Sequence, residues 1–170
     1  MTIRNLAIAA AMASVAVPGA AAPVAATTDA TGRAVLLIPL TLTKIDDLDF
    51  GTMVSGGSSG MVSLDATTSN RVFAGGVTGV TSAAGHRGYF AGAGSPSQQV
   101  IVTINAPATL DDGVGNHITV LALTQDGSPI RSIDPINRDF FVGIGGILML
   151  NANQPDGLYS ANFSVTAQYQ

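Results

Sequence analysis

Two histidines, His86 and His117, are the side chains best suited to moving a proton near neutral pH. They lie in separate segments, "AAGHRGYF" and a strand start just after "DDGVGN". A zinc site needs three or four ligands, commonly His or Cys at short spacing. This chain has no cysteine, no HxH and no HExxH, so neither histidine has a sequence partner for a metal. Asp46, Asp47 and Asp49 cluster in "KIDDLDFG", and Asp111 and Asp112 begin "DDGVGN". On a strand Asp47 and Asp49 share a face. Calcium wants six to eight oxygens, and neither run has the EF-hand spacing. Aspartates in such places ordinarily close turns by accepting their own backbone N–H groups. Glycosidase chemistry needs a chosen pair of carboxyls, one with a raised pKa. No pair stands out, and the chain has no glutamate. Serine is plentiful, but no GxSxG elbow is present, and the glycine-rich stretches lack GxxxxGK. No catalytic residue, cofactor or metal is therefore expected.

The elements that carry these residues are those of an export-directed, strand-rich chain. Only 11% of the 170 residues are charged, all eleven acids are aspartate, and Lys44 is the single lysine. Helical proteins cover their surfaces with Glu, Lys and Arg, whereas Thr, Ser, Asn and Gln suit strands and turns. The net charge of -4 and six scattered arginines give no phosphate-binding patch, so nucleic acid is not an expected partner.

Residues 1–26 read as a signal peptide: Arg4, then an apolar run from Leu6 to Val17, then Pro18, Gly19 and small residues. Cleavage after Ala22 or Ala26 fits equally. The run is short for a membrane span, and no second apolar span follows. Residues 27–170 are expected to form one domain, long enough to fold without a disulfide.

That domain reads as eight to ten short strands broken by Gly, Pro, Asn and Asp, with no sustained helical period. Ala34, Leu36 and Ile38 alternate on one side of a first strand signal before Pro39. "GTMVSGGSSG" reads as a flexible connection. Gln99–Asn105 is apolar on both faces, as in a central strand. Asp126-Gly127 marks a turn, and Gly145-Gly146 a turn or bulge between Phe140–Ile144 and Ile147–Leu150. The tail "GLYSANFSVTAQYQ" alternates throughout, placing Tyr159, Phe163, Val165 and Tyr169 on one face of a C-terminal strand that could lie at a sheet edge.

Three blocks carry a resemblance. "LTLTKIDDLDFGTMV" resembles the opening of the bacterial domain-of-unknown-function family 4402. "FFVGIGGILML" and "QPDG" with "LYSANFSVTAQYQ" are similar to its close, so the resemblance spans about Ala34 to Tyr169. A looser resemblance is to pilin subunits and spore-coat-U-like domains. Together these imply an antiparallel immunoglobulin-like β-sandwich, pilin-like but without a disulfide. They also imply export from a Gram-negative bacterium to the periplasm, cell surface or exterior. The expected role is structural and non-enzymatic, with copies of itself or other surface subunits as partners. By the same resemblance, Ala34, Leu36 and Ile38 would be a donated strand that enters a groove beside the C-terminal strand of a neighbour. Two alternatives stay open: these residues form the domain's own first strand, or the domain is a monomeric module binding carbohydrate or another ligand through Tyr89, Phe90 or Phe73.

Overall fold

The computed structural model describes residues 31–170, so the expected signal segment 1–26 lies outside the described residues. Two units separate along the chain. The first ends at Val35, and its described residues, 31–35, are exposed and without regular structure. The second, Leu36–Gln170, is all-β.

Ten strands form in order: β1 Thr41–Asp46, β2 Met53–Leu64, β3 Arg71–Gly79, β4 Gly88–Ala93 and β5 Gln99–Asn105; then β6 Thr109–Asp111, β7 His117–Gln125, β8 Ile130–Ser132, β9 Asp139–Leu150 and β10 Ser164–Tyr169. No helix occurs among the described residues. Every pairing is antiparallel. One sheet has seven strands, running β1-β4-β9-β2-β3 with β7 also on β9 and β6 on β7. The other has three, in the order β10-β5-β8. β5 is central, which accounts for the apolar residues on both of its faces.

The two layers meet through residues at alternate strand positions, as in a sandwich. On β9, Phe140, Val142, Ile144, Leu148 and Leu150 are all buried. They divide between two clusters. Leu148 and Leu150 pack with Phe50, Val62, Leu64, Val77 and Ile118. Phe140, Val142 and Ile144 pack with Phe90, Val100, Val102 and Ile133. Gln125 ties the layers by donating from Nε2 to the carbonyl of Val102 at 3.0 Å.

β9 pairs with three strands: β4 along Asp139–Ile144, β2 along Gly146–Leu150, and β7 along Ile144–Met149. The Gly145-Gly146 pair is therefore not a turn but the interior of one twelve-residue strand. Its reason is steric. The chain leaving β2 passes so close that a Cβ on Gly145 would run into the Leu64 carbonyl and meet the Ala66 nitrogen at 2.7 Å. A Cβ on Gly146 would meet the Ala122 carbonyl at 2.7 Å. Likewise "GTMVSGGSSG" is no loose connection, because Met53–Gly60 is the first part of β2. The irregularity of β2 appears instead as a register shift between Ser55 and Gly60. Among the described residues there is no regular strand before Thr41, and the tail alternation becomes a strand only from Ser164.

Of the aspartates expected to close turns, Asp49 and Asp112 do so, whereas Asp46 ends β1, Asp111 ends β6 and Asp47 pairs with Lys44; Asp65 and Asp134 close turns as well. Asp65 is held below its ordinary value of 3.8 by the N–H of Thr68, then the Thr68 hydroxyl, then the N–H of Thr67. Asp112 is lowered chiefly by the side-chain amide of Asn116, at 2.6 Å. Asp134 is lowered by the N–H groups of Asn137 and Ile136.

Two outcomes follow. Gly145→Ala should cost about 3 kcal/mol, the scale of forced overpacking, while Gly57→Ala, with nothing within 4 Å of its added carbon, should shift stability by less than about 0.5 kcal/mol. Equal urea midpoints for the two variants would refute the close-approach account. The lowered carboxyls stabilise the fold above their unfolded value of 3.8, and that contribution disappears as pH drops through their folded values. Urea midpoints should thus be level from about pH 7 to 5 and fall below about pH 4; a midpoint that holds at pH 2 would show that these turns do not keep their carboxylates ionised.

Candidate functional site

The second layer covers the core unevenly. Val100, Val102, Val165, Ala167 and Tyr169 of the three-stranded sheet all pack on the Phe140–Ile144 cluster. The other cluster draws no residue from β5, β8 or β10. Over it lie the run Leu48–Ser55 and the run Asn153–Ala161 with Phe163, and among these opens a groove of about 930 Å³. Its floor is apolar: Leu110, Ile118, Val120, Leu148 and Leu150. Among the described residues, the charged ones lining it are Asp49 and Asp156. None of the three carboxyls with lowered pKa lines it.

The groove also borders a strand edge. β9 pairs with β2 only from Gly60 to Leu64, so Met53, Val54 and Ser55 pair with β3 alone. Beyond them the slot is closed by Ser55 Oγ donating to the Gln154 carbonyl at 3.0 Å and by the Asn153 N–H donating to the Gly56 carbonyl at 2.8 Å. Opposite, Ser160 exchanges backbone hydrogen bonds with Asp111, fastening the tail to the end of β6.

The four tail residues singled out from the sequence divide into two groups. Tyr159 lies outside the strand, packs against the cluster under the groove, and donates its hydroxyl to the Pro155 carbonyl at 2.8 Å. Phe163 lines the groove and meets Phe90 edge-on at 6.2 Å. Val165 and Tyr169 belong to β10, which pairs only with β5 and is an edge strand of its sheet.

Of the N-terminal residues, Ala34 is exposed, Leu36 is 98% exposed and Ile38 is 46% exposed. Ile38 is held at both of its backbone groups. Its N–H donates to Ser95 Oγ at 2.8 Å, and its carbonyl accepts from the Tyr169 hydroxyl at 2.8 Å. That hydroxyl in turn accepts the Ser95 N–H at 2.7 Å. Ser95 and Tyr169 thus form a clasp on Ile38, upstream of which the chain bears an exposed apolar arm. Ser95 sits in "GAGSPS" with no motif around it, and only the fold reveals its role.

The remaining candidates do not gather. His117 pairs with Asp111 on the β6–β7 hairpin, where both side chains are about half exposed. His86 is joined to Asp49 through backbone bonds, and its ring faces the Arg87 carbonyl at 3.3 Å. Asp47 pairs with Lys44 on the surface, and Asp49 accepts the Gly51 N–H at 2.7 Å. Among the described residues no three His, Cys, Asp or Glu side chains come together as a metal group. Phe90 is buried in the core, and Phe73 packs on the other cluster beneath the Arg71 guanidinium. Tyr89 is engaged by two neighbours: Arg87, 4.6 Å from its ring centroid, and Phe141, stacked at 5.7 Å.

No curated protein and no solved structure matches the chain. One family model does, described as a domain of unknown function (DUF4402), over residues 40–169. The match takes in both sheets, the groove and β10 and begins two residues after the clasped Ile38, so the arm precedes it; the chain belongs to the DUF4402 family.

Proposed function

We propose that this protein is an exported structural subunit of a bacterial surface assembly, with a pilin-like, immunoglobulin-like sandwich, and that subunits join by strand addition. In this reading residues 1–26 direct export, and the arm of one copy enters the groove of another. The observation that carries it is a matched pair of features. Leu36, with Ala34 and Ile38 at alternate positions, is almost wholly exposed, and an apolar groove bordered by the Met53–Ser55 edge lies open on the same molecule.

Strand addition needs both parts: an edge to supply backbone bonds and pockets to take every second side chain. Burying the Leu36 side chain would contribute about 2 kcal/mol, and backbone bonds along the edge would add to it. Charge agrees as well. Arg33 is the single charged residue of Thr31–Ile38, and the groove's own charges, Asp49 and Asp156, are both negative. The carbohydrate-binding alternative is less well supported, because the ring of Tyr89 is already engaged by Arg87 and Phe141.

Leu36→Asp provides a direct test, since a side chain that is 98% exposed contributes nothing to the subunit's own core. Light scattering of the mature wild-type chain should show species larger than a monomer. The variant should be monomeric with an unchanged urea midpoint. Identical size distributions for the two proteins would refute strand addition.

A further inference from the structure

The outer face of the seven-stranded sheet carries a row of side chains that neither the core nor the groove uses, and we infer that this row binds one soft monovalent cation, copper(I), through the thioethers of Met61 and Met149 and the imidazole of His117. The row lies on the opposite face of β7 and β9 from the groove floor, and it is independent of the strand-addition reading.

Strand alternation sets the face. On β9, Leu148 and Leu150 are buried, so Met149 between them points outward. On β2, Val62 is buried, so its neighbour Met61 points outward. On β7, Ile118 is buried, so His117 and Thr119 point outward. The register then sets these residues side by side. Met61 pairs with Met149, and Met149 pairs with Thr119, two residues from His117. Directly opposed residues have Cβ atoms about 5 Å apart, and diagonal neighbours stand about 7 to 8 Å apart, within reach of long side chains. Two sulfurs and a ring nitrogen can thus approach one ion from three adjacent strands.

Core packing does not account for these methionines. Met61 is 42% exposed and Met149 40%, whereas Met53, the third methionine among the described residues, packs on the cluster of Leu148. Their chemistry selects the ion. Thioether sulfur favours copper(I) over hard cations, and imidazole accepts copper as well. His117 is already oriented for the task. Its Nδ1 meets Asp111 on β6, which flanks β7 on one side, while β9 flanks it on the other. That contact leaves Nε2 free to turn toward Met149, and Nε2 makes no hydrogen bond among the described residues. A carboxylate on the second ring nitrogen is how a metal-bound histidine is commonly oriented and made more basic. Asp111 also brings a negative charge beside three neutral donors, which suits a cation.

Silver(I) is the probe, because it takes the same donors as copper(I) without changing oxidation state, and the chain has no cysteine to compete for it. The mature protein, carrying labelled methionine methyls and labelled histidine nitrogens, is titrated and followed by NMR. One equivalent should move the methyl signals of Met61 and Met149 and the Nε2 signal of His117, leaving Met53 in place. Met61→Leu and Met149→Leu should each weaken binding by about tenfold or more with an unchanged urea midpoint. Asp111→Asn should weaken it by about 10- to 100-fold, the usual effect of removing a group that orients a ligand. Copper(I), held reduced and set against a competing chelator, should give the same stoichiometry. A titration with no saturable equivalent would overturn the inference, and so would affinity that survives the double methionine variant. Movement of the methionine signals without that of His117 would overturn the three-ligand site. Displacement of silver by an equal concentration of zinc(II) would overturn its assignment to a soft monovalent ion.

Discussion

Backbone runs against backbone along the middle of β9, and the architecture follows from that contact. A strand that pairs with β4, β2 and β7 must let a neighbouring chain cross its face. Gly143 and Gly145 leave that space, and the segment from Leu64 to Ala66 uses it, while Gly146 admits the close approach of Ala122 and Leu123 from β7. With those side chains absent, the inward positions of β9 can carry large residues at both ends, Phe140 to Ile144 on one cluster and Leu148 and Leu150 on the other. One strand thereby serves two cores, and its neighbours can be arranged around it without a disulfide.

The second layer does not match the first in extent. Three strands face seven, and they cover one of the two clusters. Loops cover the other cluster instead: Ile118, Leu148 and Leu150 are buried beneath them, while Leu110 and Val120 beside them stay partly exposed. The groove and the exposed Leu36 are the two apolar features that this uneven covering leaves on the surface.

The strand content and the end-to-end pattern were legible because alternation is a local property. β5 and β10 could be read from their own residues, and so could the turns closed by Asp112 and at Asp126-Gly127. What was not legible depends on which chain passes over which. Gly145-Gly146 looks like a turn until the crossing of Ala66 is known. The run "SGGSSG" looks like a linker until β3 lies beside it. Tyr159 and Tyr169 share a face in the sequence pattern, yet the first anchors a loop near the groove and the second holds the arm. The groove was invisible for the same reason: its floor is ordinary core pattern, and only a count of the strands above it shows what is missing. Ser95 is the plainest case, being a buried serine whose partners are 57 and 74 residues away.

The clasp on Ile38 has a mechanical consequence. A pull on the arm arrives first at two hydrogen bonds, one to Ser95 and one to Tyr169, so the load divides between two separate parts of the chain. What passes beyond them travels into β1, whose bonds to β4 lie across the strand direction. Tension along β1 therefore shears that ladder, loading its bonds together, where a pull from the side would unzip them one after another. The root of the arm thus resists a lengthwise pull better than a sideways one.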